Sequence, residues 1–329
     1  AGVSLAHTRF GAAMPRARLG DALEVYSQLV LTPHLPAGQV EESRQACIHD
    51  IQSLQDAPAQ QLMQALRQQH YPEPLGRSSQ GTLEGIDAIG HPQLTQFHQS
   101  HYHPDGSILA VAGNIEWDEL RDHVGSLLSQ WQGPADHFPS PAETAGEDLH
   151  ISHPSSQTHI GIAFDAIPYS HPDYFQLRGA IGVLSDGMSS RLFTEVRENR
   201  GLCYAVQASC FSLKDRGSVM AYAGTTSERA QETLDVTLEQ LTLLGKGIEP
   251  DELERVQARI KSALIMQQES SSSRSGSMTS DWYYLERVHS LEELNKVLDD
   301  LTCESINTFL AENPPDNFRI VTLGEQPLE

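Results

Sequence analysis

Basic residues are scarce in this sequence. Its 22 Lys and Arg residues stand against 44 Asp and Glu residues, which gives a formal net charge of −22. Because such a surface repels phosphate backbones, the composition excludes a protein that binds nucleic acid through its general charge. Two interpretations of the acidity stay open: a surface that keeps the protein soluble, or a field that attracts basic peptides.

Long apolar runs are absent as well. A helix that crosses a bilayer needs roughly 18 or more apolar residues in succession, and no segment of the chain approaches that length. We therefore predict no membrane-spanning helix. A length of 329 residues with 39% hydrophobic content is instead typical of two globular domains, each with its own core.

Cysteine is the third scarce residue, and the chain contains only Cys47, Cys203, Cys210 and Cys303. None of them belongs to a C-x-x-C pair, which excludes a metal knuckle of that type and a disulfide framework. Cys203 and Cys210 lie seven residues apart on one predicted strand, so they face opposite sides and are too distant to form a disulfide. The cysteines do not decide between the bacterial periplasm and the cytoplasm.

Apolar periodicity predicts the elements of the first half. The predicted helices cover residues 16–31, 40–54 and 91–102 and a stretch that begins near Glu116, and the predicted strand covers 108–112. Residues 133–148 then combine three prolines with two glycines and show no apolar period. Such a composition is typical of a linker, so we predict domains at 1–132 and 149–329.

The second half contains more predicted strands. Its predicted elements are a strand over 158–166, helices from Asp173 and over 191–199, strands over 203–211 and 218–224, helices over 227–245 and 250–268, and a strand over 318–323. Gly201 follows the helix over 191–199 at the position where a left-handed glycine commonly ends a helix. We therefore expect the chain to turn at Gly201 from a helix into a strand.

The two halves resemble each other. The segment DALEVYSQLV at 21–30 is similar to ETLDVTLEQL at 232–241, at an offset of 211, and PAGQVEESRQACI at 36–48 is similar to EPDELERVQARI at 249–260. Similar segments in the same order predict one fold used twice, with chance similarity of amphipathic helices as the alternative. The second half has roughly sixty residues before its strand at 218–224 that have no counterpart in the first half. The first domain is therefore expected to lack its N-terminal portion.

Three motifs carry a resemblance to a known family. A Ser-Arg-Leu-Phe helix followed by Arg-Gly-Leu-x-Tyr is matched by GMSSRLFTEVRENRGLCYAV at 187–206. A Pro-Leu-Gly-Arg loop is matched by YPEPLGRSSQGT at 71–82, and a Tyr-x-Pro-Asp segment leading into a Val-x-Gly strand by HYHPDGSILAVAGNI at 101–115. In these motifs the chain resembles the family of insulinase, pitrilysin and mitochondrial processing peptidase, which are inverted zinc metallopeptidases.

The resemblance covers nearly the whole chain and implies a fold class. It implies an α+β protein of two similar α/β-roll domains, each an antiparallel-rich sheet backed by helices, with the first lacking its N-terminal portion. The family's catalytic motif is His-x-x-Glu-His, whose histidines bind zinc together with a downstream glutamate. None of the 15 histidines belongs to such a motif. Zinc is therefore expected in the family or in a partner subunit, with none bound by this chain as it stands, and the motif is expected upstream of Ala1.

Other positions of the family's site can be matched to single residues. The strand that pairs with substrate matches residues 2–8, where Leu5 stands in place of the usual asparagine and is followed by Ala6. The third zinc ligand of the family, a glutamate, falls on Asp50, and a supporting glutamate falls on Ser43. Asp50 is one methylene shorter than glutamate, so it would reach a zinc ion only after a backbone shift. Together these departures imply a half that has lost catalysis.

Arg197 and Tyr204 match the arginine–tyrosine pair with which the family contacts bound peptide beside the zinc. Arginine offers a fork of donors to a carbonyl or carboxylate, and a tyrosine hydroxyl can donate to an oxyanion. The alternative is structural: a surface arginine and a core tyrosine at a helix–strand junction.

One cluster of histidines has a metal-like spacing. His98 and His101 are one helical turn apart, whereas His103 precedes Pro104 and lies outside the predicted helix. We interpret the three as surface histidines, with a metal site as the alternative.

These features lead to three hypotheses. The first is a peptidase-like subunit, non-catalytic as it stands, that binds peptide or unfolded polypeptide and contributes an Arg/Tyr pair to the zinc site of a homologous partner, in a homodimer or heterodimer. Its peptide-binding residues are Arg197, Tyr204, Leu5 and Ala6. The second is a part of an active zinc metalloendopeptidase whose His-x-x-Glu-His helix precedes Ala1. The third is a structural subunit without peptide contact.

Overall fold

The computed structural model describes residues 1–133 and 146–329, so most of the predicted linker at 133–148 lies outside the described residues. The chain divides into two compact units. Unit 1 consists of Ala1–Ser53, Arg77–Ser140 and Gln267–Tyr283, and unit 2 consists of Leu54–Gly76, Pro141–Met266 and Tyr284–Glu329. Each unit contains pieces of both halves of the sequence, and the domain boundaries expected at 1–132 and 149–329 remain a prediction.

The described residues contain twelve α-helices. Those of the first half are α1 Leu19–Leu31, α2 Val40–Gln55, α3 Pro58–His70, α4 Leu83–Ala88, α5 His91–His101 and α6 Trp117–Leu128. Those of the second half are α7 Tyr174–Ser185, α8 Ala230–Leu244, α9 Pro250–Glu269, α10 Ser271–Leu285, α11 Leu291–Asp300 and α12 Cys303–Glu312. In the part of the chain that the structure describes, no helix combines the length and the apolar character that a membrane span requires.

The strands form a hairpin in unit 1 and a five-stranded sheet in unit 2. The hairpin is β1 Gly2–Val3 with β2 Thr8–Arg9, and the sheet strands are β3 Leu149–Ser152, β4 Gln157–Ala166, β5 Cys203–Ser212, β6 Gly217–Thr226 and β7 Arg319–Gly324. The sheet order is β3-β7-β4-β6-β5, and only the β3–β7 pair is parallel. The mixed helix and sheet class predicted from the sequence is confirmed.

Strand β4 lies at the centre of the sheet, between β7 and β6, and both of its faces are covered. Its side chains alternate, as the period of two in a strand requires. Ile160 and Ile162 belong to a core that contains residues of α7, α8 and α12, whereas Ala163 belongs to a second core on the opposite face. The register places Ile162 opposite Ala221 of β6 and Ile320 of β7. A mostly antiparallel sheet, whose central strand is buried on both faces, thus forms the centre of unit 2.

Helix α3 covers the second face of this sheet. Its Leu62 and Leu66 are fully buried, and Gly161 of β4 leaves so little room that a Cβ there would lie 3.2 Å from the Leu66 side chain. At the end of the helix, Tyr71 Oη lies 2.6 Å from Ser218 Oγ of β6. The sequence did not lead us to predict α3, since few apolar residues stand among its glutamines.

Unit 1 has a small core. Among its described residues, Leu23, Ser27 and Asp281 are the buried ones, and Trp117 is 67% exposed. Helix α1 packs against α6, and no strand longer than two residues lies in the described part of this unit.

The strand expected over 108–112 does not form. A strand exists through hydrogen bonds to a neighbouring strand, and no described strand pairs with these residues. Leu109 is 52% exposed as a result. The apolar pattern that predicted the strand is present, but the pairing partner that would make it one is not found among the described residues.

The order of helices repeats between the two halves, in agreement with the repeat found in the sequence. Four pairs of corresponding helices begin 210 to 213 residues apart, at Leu19 and Ala230, Val40 and Pro250, Pro58 and Ser271, and His91 and Cys303. One pair of corresponding helices is divided between the units in the opposite sense to the halves that they come from. Helix α3 of the first half belongs to unit 2, whereas its counterpart α10 belongs to unit 1 as far as Tyr283.

Candidate peptide-binding site

Arg197 lies on a π-helix rather than on the α-helix that the sequence predicted. The π-helical turns run over Phe193–Asn199, an uncommon conformation that is frequently found at functional sites. The guanidinium carbon of Arg197 lies 4.8 Å from the centre of the Phe193 ring, and the side chain is exposed. A cation held over a ring in this way is partly ordered while its donors remain free for a ligand.

Arg191 at the start of the same helical segment has a structural role. Its Nε and Nη2 each donate to the Glu252 carboxylate at 2.7 Å, and Nη2 also donates to the Gly247 carbonyl at 2.9 Å. Burial alone would raise the pKa of Glu252, but the bonds from Arg191 and from the Glu249 amide hold it below its usual value. The two arginines of the motif are therefore distinct: Arg191 anchors the segment, and Arg197 remains on its surface.

The turn after the π-helix is held by buried hydrogen bonds. Gly201 has a φ of +60°, which confirms the left-handed glycine predicted there. The Leu202 amide donates to the Val196 carbonyl at 2.9 Å, and the Leu202 carbonyl accepts from the buried hydroxyl of Thr225 at 2.5 Å. The Thr233 hydroxyl lies 3.2 Å from that of Thr225 and extends the network to α8. These bonds fix where β5 begins relative to the π-helix.

Tyr204 stands at the beginning of β5 and is half exposed, at 50%. Its hydroxyl donates to Gln157 Oε1 at 3.4 Å and also lies 3.4 Å from the hydroxyl of Tyr222. Burial raises the pKa of the adjacent Cys203 thiol, and the positive charge of Arg197 opposes this rise. The turn at Gly201 therefore brings Arg197 into electrostatic range of Cys203, the residue that precedes Tyr204 in β5. A shared peptide-binding role for Arg197 and Tyr204 remains a prediction.

Residues that the sequence analysis did not identify surround the Tyr204 hydroxyl. His159 Nδ1 lies 2.8 Å from the Tyr222 hydroxyl, and both side chains are buried. A Cβ added at Gly224 would lie 2.5 Å from the Tyr204 oxygen and 2.8 Å from that of Tyr222. His159 was visible in the sequence as one of several polar residues of a predicted strand, but the pairing that places it beside Tyr222 depends on the register of β4 and β6.

Leu5 and Ala6 lie in unit 1, in a turn and not in a strand. The Ser4 amide donates to the His7 carbonyl at 2.9 Å, and the Ser4 hydroxyl accepts from the amides of Ala6 and His7. The segment expected to be an edge strand over 2–8 is therefore a hairpin, because its two ends pair with each other through Val3 and Thr8. A peptide-binding role for Leu5 and Ala6 remains a prediction.

Asp50 also lies in unit 1, on helix α2. Its side chain is exposed, and so is that of Ser43, seven residues earlier on the same helix. No group of three His, Cys, Asp or Glu side chains close enough to hold a metal ion is found in residues 1–133 and 146–329. One exposed carboxylate does not fit the family's zinc, which needs at least three protein ligands. A metal-binding role for Asp50 remains a prediction, and no chemical step in this chain is assigned to zinc.

The three clustered histidines bond to separate backbone carbonyls. His98 Nε2 lies 3.1 Å from the Val30 oxygen, His101 Nδ1 lies 3.1 Å from that of Phe97, and His103 Nε2 lies 3.0 Å from that of Ser100. His101 is exposed and the other two are part-buried, and each ring bonds to a carbonyl of its own, which favours the interpretation as surface histidines over a shared metal site.

Comparison with known proteins gives one family model and several relatives. The model described as "Peptidase M16 inactive domain" matches residues 88–260, just over half of the chain. An uncharacterized zinc protease of Mycobacterium bovis is 27% identical over 312 residues, which are 92% of this chain and 70% of that protein. The uncharacterized zinc protease YmxG of Bacillus subtilis is 27% identical over 290 residues, 87% of this chain and 70% of its own length.

Two solved structures share the fold. A peptidase M16 inactive domain from Pseudomonas fluorescens superimposes with a TM-score of 0.85 at 24% identity, covering 94% of this chain and 75% of that one. A chain of complex III from Candida albicans gives a TM-score of 0.80 at 15% identity, covering 95% and 78%. At these identities the likeness shows the fold alone.

Proposed function

Since the chain belongs to the peptidase M16 inactive-domain family, as its motifs predicted, we propose that it is a peptidase-like subunit, non-catalytic by itself. In this proposal it binds peptide or unfolded polypeptide and contributes Arg197 and Tyr204 to the zinc site of a homologous partner subunit. The zinc belongs to the partner, because the described residues of this chain offer no set of three ligands.

One observation carries the proposal: two exposed polar side chains are presented by a rigid turn, and neither is needed for the core. Arg197 is exposed on the π-helix and Tyr204 is 50% exposed on β5. The groups that hold the turn, in contrast, are buried, among them Leu202 and Thr225. The structural alternative predicts a surface arginine and a core tyrosine, and it is the exposure of Tyr204 that argues against it.

The chemistry of the pair suits a peptide. The Arg197 guanidinium can donate to a carbonyl or carboxylate oxygen through more than one N–H group, and the Tyr204 hydroxyl can donate to an oxygen that gains negative charge as the peptide bond is attacked. The net charge of −22 adds a field that concentrates basic polypeptides near the protein. Peptides rich in Lys and Arg are therefore the proposed preferred ligands.

The test is reconstitution with a homologous subunit from the same genome that has an intact His-x-x-Glu-His motif. Chelator-sensitive cleavage of an internally quenched basic peptide is measured with wild-type chain, Arg197→Ala and Tyr204→Phe. Loss of a transition-state donor costs on the order of 3 kcal/mol, so each variant should lower kcat about a hundredfold while the melting temperature stays close to that of the wild type.

Two control variants match these changes. Arg200→Ala removes another exposed arginine of the same region, 3.6 Å from Glu239, and Tyr71→Phe removes a buried hydroxyl at the opposite end of the sheet face. Both should leave kcat unchanged. A structural role for the pair predicts the reverse for Arg197→Ala and Tyr204→Phe, with lower melting temperatures and normal turnover, and unchanged turnover in both variants rejects the proposal.

A second candidate is favoured by the names of the relatives. Those from M. bovis and B. subtilis are called zinc proteases, and this chain covers 70% of each. The chain would then be a part of an active zinc metalloendopeptidase, with the His-x-x-Glu-His helix upstream of Ala1. Sequencing the gene upstream of Ala1 separates the two: an in-frame motif there supports the enzyme, and a degenerate one supports the subunit.

A further inference from the structure

Tyr204 is the last tyrosine in a hydrogen-bonded series of polar side chains that starts in the interior of unit 2. His159 Nδ1 lies 2.8 Å from the Tyr222 oxygen, the Tyr222 and Tyr204 oxygens are 3.4 Å apart, and Tyr204 donates to Gln157 Oε1 at 3.4 Å. His159 and Tyr222 are 4% and 8% exposed, whereas Gln157 is exposed. The chain therefore runs from a buried imidazole to an acceptor on the surface.

Proton counting gives this chain a direction. Each tyrosine hydroxyl has one proton, so donation from Tyr204 to Gln157 leaves the Tyr204 oxygen to accept from Tyr222. The Tyr222 oxygen then accepts from the Nδ1–H of His159. Burial and the neighbouring His153 lower the pKa of His159, so the imidazole that makes this donation is the neutral Nδ1–H form. Every donor in this series of hydrogen bonds points from the interior toward the surface.

The hollow that holds the two hydroxyls exists because residue 224 is glycine. A Cβ at this position of β6 would lie 2.5 Å from the Tyr204 oxygen and 2.8 Å from the Tyr222 oxygen. Any larger residue would displace the Tyr204 hydroxyl, which is free to move into solvent. The absence of a side chain at Gly224 is thus a requirement for the position of Tyr204.

We infer that Tyr222 and His159 are positioning residues for Tyr204, and that they direct its hydroxyl proton toward the acceptor position now taken by Gln157 Oε1. This inference rests on the proposed function, since a peptide carbonyl or carboxylate oxygen is the group that would replace the Gln157 oxygen there. The two 3.4 Å distances exceed those of ordinary hydroxyl hydrogen bonds. Catalytic hydrogen bonds are commonly long before substrate is bound and shorten in the complex.

The first experiment measures the Tyr204 hydroxyl directly and needs no partner. Protein labelled with ¹³C at the tyrosine Cζ gives one signal for each of the nine tyrosines, and Tyr204→Phe identifies the signal of Tyr204. Tyr222→Phe and Gly224→Ala should both shift this signal, whereas Tyr71→Phe, which removes the hydroxyl beside Ser218, should leave it in place. An unmoved Tyr204 signal in Tyr222→Phe and Gly224→Ala overturns the inference.

The second experiment is a double-mutant cycle in the reconstituted complex. Tyr222→Phe alone should lower kcat about tenfold with little change in KM, since misplacement of a reacting group affects mainly the chemical step. In the Tyr204→Phe background it should have no further effect, because the hydroxyl that it positions is gone. Gly224→Ala should likewise lower kcat when Tyr204 is present, and Tyr71→Phe should leave kcat unchanged.

The outcomes separate this inference from the proposed function. Unchanged turnover in Tyr204→Phe rejects the proposed function. It also rejects a functional role for the hydrogen bonds that connect His159, Tyr222 and Tyr204. The positioning roles of Tyr222 and His159 are rejected if kcat falls in Tyr204→Phe and stays normal in Tyr222→Phe. They are also rejected if the two losses of kcat multiply in the double variant. In both cases the proposed function stands.

Discussion

Helices α1 and α8 occupy the same place in the internal repeat and differ in what covers them. At an offset of 211, Val25 of α1 corresponds to Val236 of α8; the first is 55% exposed and the second 4%. Helix α8 packs against β4 and β6, whereas α1 packs against α6. The same amphipathic pattern therefore makes a core helix in unit 2 and a half-exposed helix in unit 1, because only unit 2 contains an extended sheet among the described residues.

The strand-like segments of the two halves teach the same lesson. Residues 108–112 and strand β7 are separated by the same offset, and only β7 lies between two neighbours, β3 and β4. Val321 and Leu323 of β7 are fully buried, in contrast to Leu109. Apolar residues supply the tendency to form a strand, and paired neighbours decide whether it forms.

The largest difference is expected in local stability. Amides of β4 and β6 should exchange hydrogen only when unit 2 unfolds as a whole, whereas amides of α1 and α5 should exchange through local opening at a free energy several kcal/mol lower. Native-state hydrogen exchange with mass spectrometry measures both. Equal protection of the amides in α1 and in β4 and β6 would show that the comparison of burial does not describe stability.

A matched pair of substitutions sharpens the comparison. Val236→Ala removes two buried methyl groups from the core of unit 2 and should lower the free energy of unfolding by about 2 kcal/mol. Val25→Ala at the equivalent position should change it by less than about 0.5 kcal/mol, since the side chain is already exposed. Urea denaturation of both variants gives the two values, and similar losses would contradict the different environments of α1 and α8.

Two arginines with similar burial provide a third comparison. Arg191 in unit 2 joins the Glu252 carboxylate and the Gly247 carbonyl, so Arg191→Ala should cost about 1.5 kcal/mol of global stability. Arg44 in unit 1 bonds to the Ile86 carbonyl and, at 2.6 Å, to the Ile89 carbonyl. Arg44→Ala should speed hydrogen exchange near α4 and leave the urea midpoint of unit 2 unchanged. A lower midpoint in Arg44→Ala would show that the units unfold together.

The smallest expected effect is on the pH dependence of stability, through His70 of helix α3. Burial lowers the pKa of His70 from 6.5, Asp165 opposes this, and Arg319 adds to it. Because the folded state binds this proton more weakly than the unfolded chain, the stability of unit 2 is full above pH 6.5 and falls as the pH drops toward the lowered value. Urea midpoints near pH 7.5 and 5.5 should therefore differ less in His70→Gln than in wild type. Burial lowers the pKa of His159 in the same direction, so His159→Gln is the matching second variant, and equal pH dependence in all three proteins would contradict the assignment.

Much of the local structure could be predicted because its causes lie within a few residues. The helix over 16–31 appears as a 3₁₀ turn followed by α1, and the left-handed Gly201 ends the helical segment as expected. Apolar residues at helical spacing and a glycine after the last turn are sufficient signals for these features. Arg197 and Tyr204 were singled out by the family resemblance of one short motif, and their role remains a prediction.

What the sequence could not show depends on contacts between distant residues. The π-helical winding at Phe193–Asn199, the docking of α3 on the sheet and the approach of His159 to Tyr222 follow from packing and from strand register. A shift of β4 by one residue would turn His159 to the opposite face of the sheet, and no local pattern excludes it.

The sequence by itself determined the family, the repeat and most helices, because these are recorded in short-range periodicity and in motifs, and a motif also singled out Arg197 and Tyr204 as candidates. The tertiary structure alone decided which of two similar helices is buried and which groups lie behind the Tyr204 hydroxyl. The physical reason is that burial and hydrogen-bond partners are properties of pairs of segments, and those pairs exist only after the sheet has assembled.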